Sequence, residues 1–308
     1  MILMKHLIYA GTYTKRKSEG IYTFNFEDGY FSGVNLFCKI GNPKYLCYYE
    51  DNLLAVYDDK DGSGTALIDK DGKIIDKVIH EDGSSCFLIN KDNYVYTANY
   101  HEGTVSKIEI KDDRLHLIRK LCIKDMAGCH QIILYENKIL VPCLFLDKVY
   151  IFDENLNLMN LIDLPKGSGP RHGIICDKYL YLVGELSNEL FVIDLNLLKV
   201  VNSISVLDND ERHTKGTAAI RLKDNFIYVS TRFKDVISVI SADGADIRLI
   251  ETRNCGGVHP RDFIIIDDYL LCANMDSDNV VSFGINKNGT LTGIIDSINV
   301  PEGIALLN

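Results

Sequence analysis

The sequence predicts an all-β protein, one seven-bladed β-propeller domain spanning residues 1–308, with four antiparallel strands in each blade. Three observations carry this reading. A polar turn followed by an alternating apolar strand recurs seven times, and two further short apolar runs stand ahead of it in nearly every copy. No stretch of ten or more residues shows helical periodicity. Repeats of this length, each made only of short strands, define radial all-β arrays, because one unit cannot bury its own apolar face.

The repeated strand appears as EGIYTFNF (19–26), SGTALID (63–69), EGTVSKIEI (102–110), DKVYIFD (147–153), NELFVID (188–194), KDVISVIS (234–241) and DNVVSFGI (278–285). Anchored on Ile21, Thr65, Val105, Val149, Leu190, Val236 and Val280, the spacings are 44, 40, 44, 41, 46 and 44, and seven units of 44 fill the 308 residues. Before each anchor lies a second strand, from LIYAGTY (7–13) to LLCANM (270–275). Before six of these lies a first strand, from PKYLCYY (43–49) to RDFIII (261–266). The seventh first strand is missing at the N-terminus, and PEGIALL (301–307) supplies it from the other end of the chain. Such an exchange closes a ring and leaves no open sheet edge at the seam. Fourth strands are weaker, as in 156–164 and 291–299. A β-helix or a sandwich is the alternative; the absence of tryptophan and of WD dipeptides argues against a WD-repeat protein.

Composition narrows the function. Hydrophobic residues make up 46% and charged residues 25%, as in an ordinary globular chain. A net charge of −10 argues against sequence-independent nucleic-acid binding, although a local arginine cluster can still hold a small anion. The apolar run at 1–11 is interrupted by Lys5 and His6, and no run reaches membrane-spanning length, so neither a secretion signal nor membrane attachment is expected. Nine cysteines, an odd number without a CxxC pair, read as reduced core thiols of a cytoplasmic protein.

Hairpin arithmetic locates a candidate site. The turns between first and second strands are polar and lie at one end of the ring, as at Asp177-Lys178. Counting back equally from each turn puts Lys44 opposite Tyr57, Ser85 opposite Asn99, His130 opposite Cys143, Arg171 opposite Glu185, Thr217 opposite Arg232, and Arg261 opposite Asn274 at the other end. His172 and His259 are adjacent. One rim thus gathers histidine, carboxylate and three arginines. Arginines bind carboxylate or phosphate bidentately and hold an oxyanion; a histidine or glutamate near neutrality can activate water. Each residue has a plainer alternative: a cross-strand ion pair for Arg171 and Glu185, a structural hydrogen bond for His130, a solvated strand end for Arg232, a loop position for His259, and turn-capping for Tyr57, Asn99 and Asn274. The acidic segments 57–62 and 276–279 read as turns rather than calcium loops. No metal site or cofactor motif is expected.

The segments GTYT (11–14), NPKYL (42–46), ANYHEGTVS (98–106), GCH (128–130), GSGPRH (167–172), ELSNELFVID (185–194), STRFKDVISV (230–239), HPRDF (259–263) and ANMDSDNVVSF (273–283) resemble, in order, the seven-bladed lactonase family of 6-phosphogluconolactonases and carboxy-muconate lactonizing enzymes. The resemblance implies a site free of cofactor and metal at a channel mouth, with His130, Arg171, Glu185 and Arg232 as catalytic residues. Arg261 becomes a substrate-binding candidate, joined by the rim residues Lys44, His172, Asn99 and Asn274. Gly184 and Thr231 depart from the asparagines that the family often has there, and the loops near 58–66 and 205–217 are short. The expected activity is hydrolysis of a sugar-acid lactone, with 6-phosphogluconolactone as leading substrate, by a monomer or homodimer whose partner is a small anionic lactone. A muconate-type cycloisomerase on the same scaffold is one rival; a non-catalytic binding propeller is the other.

Overall fold

A computed structural model describes residues 5–83, 85–208 and 214–308. Met1 to Met4, and the centre of the short 205–217 loop, lie outside the described residues. Twenty-eight strands form seven four-stranded antiparallel sheets, and the only helix among the described residues is the single turn Leu144–Leu146. Blade 1 runs Gly303–Leu307, His6–Thr12, Gly20–Glu27 and Tyr30–Lys39, so the C-terminal strand is its first strand and the ring is latched as the sequence predicts. The six other blades each use four consecutive strands, and their first strands are Leu46–Tyr49, Ser85–Lys91, Ile133–Tyr135, Pro170–Cys176, Thr217–Lys223 and Pro260–Ile266. First strands of neighbouring blades contact one another around the ring's axis.

There is no single central core. Seven apolar clusters each join two adjacent blades, including the pair that the latch strand brings together. Strand alternation explains this. In Asn52–Asp59, Leu53, Ala55 and Tyr57 face the blade 1 seam while Leu54 and Val56 face the blade 3 seam. A strand buried on both faces reads as a continuous apolar run, which is the pattern of the second strands. Each fully buried Leu, Val, Ile or Phe contributes about 1.5–3 kcal/mol of transfer free energy.

The turns between first and second strands of blades 2–7 have two residues, the first left-handed: Glu50, Asp92, Glu136, Asp177, Asp224 and Asp267 all have φ near +50°. Aspartate tolerates that conformation better than most residues, which accounts for its recurrence. The opposite end of each first strand is irregular. A one-residue register shift falls between Ser85 and Phe87, Pro170 and Gly173, Thr217 and Ile220, and Pro260 and Asp262. These are β-bulges, which leave an extra residue unpaired and re-aim its side chain.

Removing Gly303–Asn308 leaves blade 1 with an unpaired edge at His6–Thr12 and strips Ile304 and Leu306 from buried positions. The thermal midpoint is expected to fall by about 10 °C or more, with association through the new edge. Calorimetry with size-exclusion chromatography checks this; an unchanged midpoint and an unchanged elution volume would contradict it.

Candidate active site

Two repeated positions build the site. The first is the bulge on the first strand, which supplies Cys86, Arg171 and Arg261. The second is the first residue after the second strand, which supplies Tyr13, Tyr100, Glu185 and Arg232. With Lys44, His101 and His130, all of these except Arg171 line a cavity of 190 Å³. That is small beside the roughly 300–1,000 Å³ of pockets that take drug-sized ligands.

Arg171 lies directly behind the wall. Its Nε is 2.8 Å from Glu185 Oε2, and its Nη1 donates to the Ala218 carbonyl of the blade 6 bulge. Arg232 Nη2 is 2.9 Å from the other carboxylate oxygen, Oε1, and Arg232 Nε donates to Gly216 O at 3.0 Å. The cross-strand ion pair, the plainer alternative for Arg171 and Glu185, therefore exists, and a second arginine shares its carboxylate. The main chain locks the same group. Glu185 N donates to Gly169 O, Gly216 N donates to Glu185 O, both at 2.7 Å, and Arg232 N donates to Gly216 O at 2.9 Å. Gly216 has φ +143°, and a Cβ there would sit 2.3 Å from Arg232 O. Gly184 similarly lets Ser168 O approach to within 2.6 Å of where a Cβ would stand.

Burial and neighbours set the charges. Arg171 and Arg232 have side chains 2% and 8% exposed, and Glu185 17%. Burial raises the Glu185 pKa, but Arg171 and Arg232 outweigh it and hold the carboxyl below its ordinary value. Burial and the charge of Arg232 pull Arg171 down to about 9, still protonated at neutral pH. His130 and His172 are held well below 6.5 by burial first and by Arg171 next, so both are neutral. Their rings meet edge to face with centroids 5.0 Å apart, and Tyr100 packs against His130 at 5.5 Å. His130 Nδ1 is buried with no hydrogen-bond partner outside its own residue.

The structure brings His130, Glu185, Arg232, Arg261 and Lys44 to one cavity, with Arg171 behind Glu185 and His172 behind His130. Lys44 is already paired, its Nζ 2.9 Å from Asp58. Asn99 and Asn274 are not brought there. Each is the last residue of its second strand, fully buried, and alternation turns it into its own blade; the residue after Asn99, Tyr100, faces the cavity instead. The Asn99 amide donates to Glu81 and Thr104, and that of Asn274 to Cys255 O. Hairpin counting stopped one residue short of Tyr100 and passed over Tyr13, Cys86 and His101. The signal was present: Tyr13, Tyr100, Glu185 and Arg232 hold the same place in their repeats. Among the described residues no three His, Cys, Asp or Glu side chains converge as metal ligands.

The profile of the family described as "Lactonase, 7-bladed beta-propeller" matches residues 7–307, and the chain belongs to that family. Among individual proteins, it is 28% identical to a 6-phosphogluconolactonase of Bacillus subtilis, over 99% of this chain and 98% of that one. A solved protein from Lactobacillus plantarum superposes with a TM-score of 0.90 at 25% identity, covering 98% of this chain and 99% of the other. The periplasmic gluconolactonase of Pseudomonas aeruginosa has the same fold, with a TM-score of 0.88 at 22% identity and 99% of each chain covered.

Buried histidines make stability pH-dependent. A histidine with a folded pKa below its unfolded value near 6.5 stabilises the fold fully above pH 6.5; that contribution is lost as pH falls, because the unfolded chain then binds more protons. His259, pulled to about 4 by burial and by Arg232, acts in the same direction. For these groups the thermal midpoint should hold steady from pH 8 to 7 and fall below pH 6.5, by an amount that shrinks in the His172→Gln variant. A midpoint flat down to pH 5 would contradict this.

Proposed function

We propose that this protein hydrolyses a sugar-acid lactone, with 6-phosphogluconolactone the leading substrate. The observation that carries the reading is the arrangement at the cavity wall. A neutral histidine shares the cavity with Arg232 and Arg261, while the one carboxylate is already engaged by two arginines. Two guanidinium groups around one carboxylate leave one surplus positive charge, which suits a developing oxyanion. The Bacillus subtilis relative named for 6-phosphogluconolactone supports the choice of substrate. A cytoplasmic setting accompanies this reading and is supported by nine cysteines that are all free thiols.

In the proposed reaction, His130 accepts a proton from water as the water oxygen bonds to the lactone carbonyl carbon. Arg232, held by Glu185, stabilises the resulting oxyanion. Collapse of the intermediate breaks the ring C–O bond, and the histidine returns the proton to the leaving alkoxide. One water is added and the open-chain acid leaves. Glu185 is a positioning residue rather than the base, because its two arginines hold it ionised and low in basicity. The cycloisomerase alternative would use the same arginines, and no observation favours it.

His130→Ala should lower kcat by about 10²–10⁴-fold, the usual range for a lost general base. Arg232→Ala should lower it by about 10²–10³-fold, as for a lost oxyanion donor. The acid limb of kcat/KM should lie below pH 6.5 in the wild type. These are read from lactone opening corrected for the spontaneous rate. Wild-type protein that fails to accelerate any lactone, or His130→Ala with full activity, would overturn the assignment.

A further inference from the structure

A second cavity of 370 Å³ opens beside the first and shares Tyr13, Arg232 and Arg261 with it. Its own walls add Lys15, Arg16, His259, Asp276 and Glu302. The loop that carries Lys15 is built onto the ring's latch. Glu302 lies in the turn just before the C-terminal strand, is 2% exposed, and its carboxylate accepts the backbone N–H groups of Lys15, Arg16, Lys17 and Ser18 at 3.1, 2.9, 2.8 and 3.0 Å. Tyr13 N also donates to Glu302 O at 3.1 Å. This wraps residues 13–18 around one buried side chain and fixes their path at the rim.

The charges of this annexe do not cancel. Glu302 is engaged by four amides, and Asp276 lies 3.3 Å from His259 Nδ1. Arg16 is paired with Asp278 at 2.9 Å, and Arg232 with Glu185. Lys15 and Arg261 have no acidic partner within ion-pair distance among the described residues. Both cations lie over the ring of Tyr13, Lys15 Nζ at 4.7 Å and Arg261 Cζ at 5.5 Å from its centroid. Two unpaired cations lining one cavity repel each other, and an anion bound there in reach of both relieves that repulsion. The ring they share lines both cavities, so one molecule can reach from the wall at His130 to the annexe.

We propose that the annexe is the subsite for a phosphate monoester carried by the lactone at a distance from its carbonyl, with Arg261 as the bidentate donor and Lys15 as a point charge. This rests on the lactonase reading and adds to it the part of the substrate recognised outside the reacting ring. Glu302 is the positioning residue that holds the loop in place.

The test compares kcat/KM for 6-phosphogluconolactone and for glucono-δ-lactone in wild type, Lys15→Ala, and the Lys15→Ala/Arg261→Met double variant. The ratio of phosphorylated to unphosphorylated substrate should fall about tenfold in the single variant and about a hundredfold in the double variant, chiefly through KM, as expected for lost charge-assisted contacts. A ratio within twofold of wild type in the double variant, with lactonase activity retained, would overturn the subsite while leaving the lactonase reading intact. Calorimetry with inorganic phosphate keeps the two claims separable. Binding lost in the double variant supports the subsite even if neither lactone is turned over. No phosphate binding to wild type overturns it, as does a larger loss with a lactone bearing a carboxylate tail.

Discussion

Glu185 is a carboxylate drawn largely out of water, and the surrounding structure depends on how its charge is answered. Two arginines meet it from different blades, Arg171 from the blade 5 bulge and Arg232 from the end of the second strand of blade 6. Removing one partner from such a group leaves a buried charge uncompensated, which generally costs about 3–5 kcal/mol. Glu185 and Arg232 are also tied through the main chain, Glu185 to Gly169 and both to Gly216. The joint between two blades and the charged wall of the cavity are therefore one construction.

That cluster also sets the protonation state of its neighbours. The arginine charges that lower the pKa of Glu185 lower that of His130 too, so the pair reads as an ionised carboxylate beside a neutral imidazole. A carboxylate so held is a poor proton acceptor. The imidazole, held neutral at the cavity wall, is the better one. The division of roles follows from the environment and not from residue type alone.

Much of this was legible in the sequence because a propeller repeats its geometry. The period near 44 residues predicted the seven blades, and the displaced C-terminal strand predicted the latch. Mirror counting about the turn at Asp177-Lys178 brought Arg171 and Glu185 together, and they are in contact. Pairing alone does not say which face a side chain takes: Asn99 does pair with Ser85 and Asn274 pairs with Pro260, yet both face into their blades. Tyr100, one residue beyond Asn99, reaches the cavity instead. Of the annexe, Arg232, Arg261 and His259 were legible at the rim, but the loop carrying Lys15 was not. That loop is fixed by Glu302, 287 residues from Lys15 in the chain, through backbone amides that leave no pattern in the sequence.

In the proposed function one cation-rich mouth holds an anionic lactone with its carbonyl at His130 and Arg232. A crystal structure of the wild-type protein with 6-phosphogluconate is the decisive test. The product's carboxylate should lie within hydrogen-bond distance of Arg232 and His130, and its phosphate should lie between Lys15 and Arg261. A ligand bound elsewhere on the ring, or bound in the cavity with its carboxylate away from both His130 and Arg232, would contradict it.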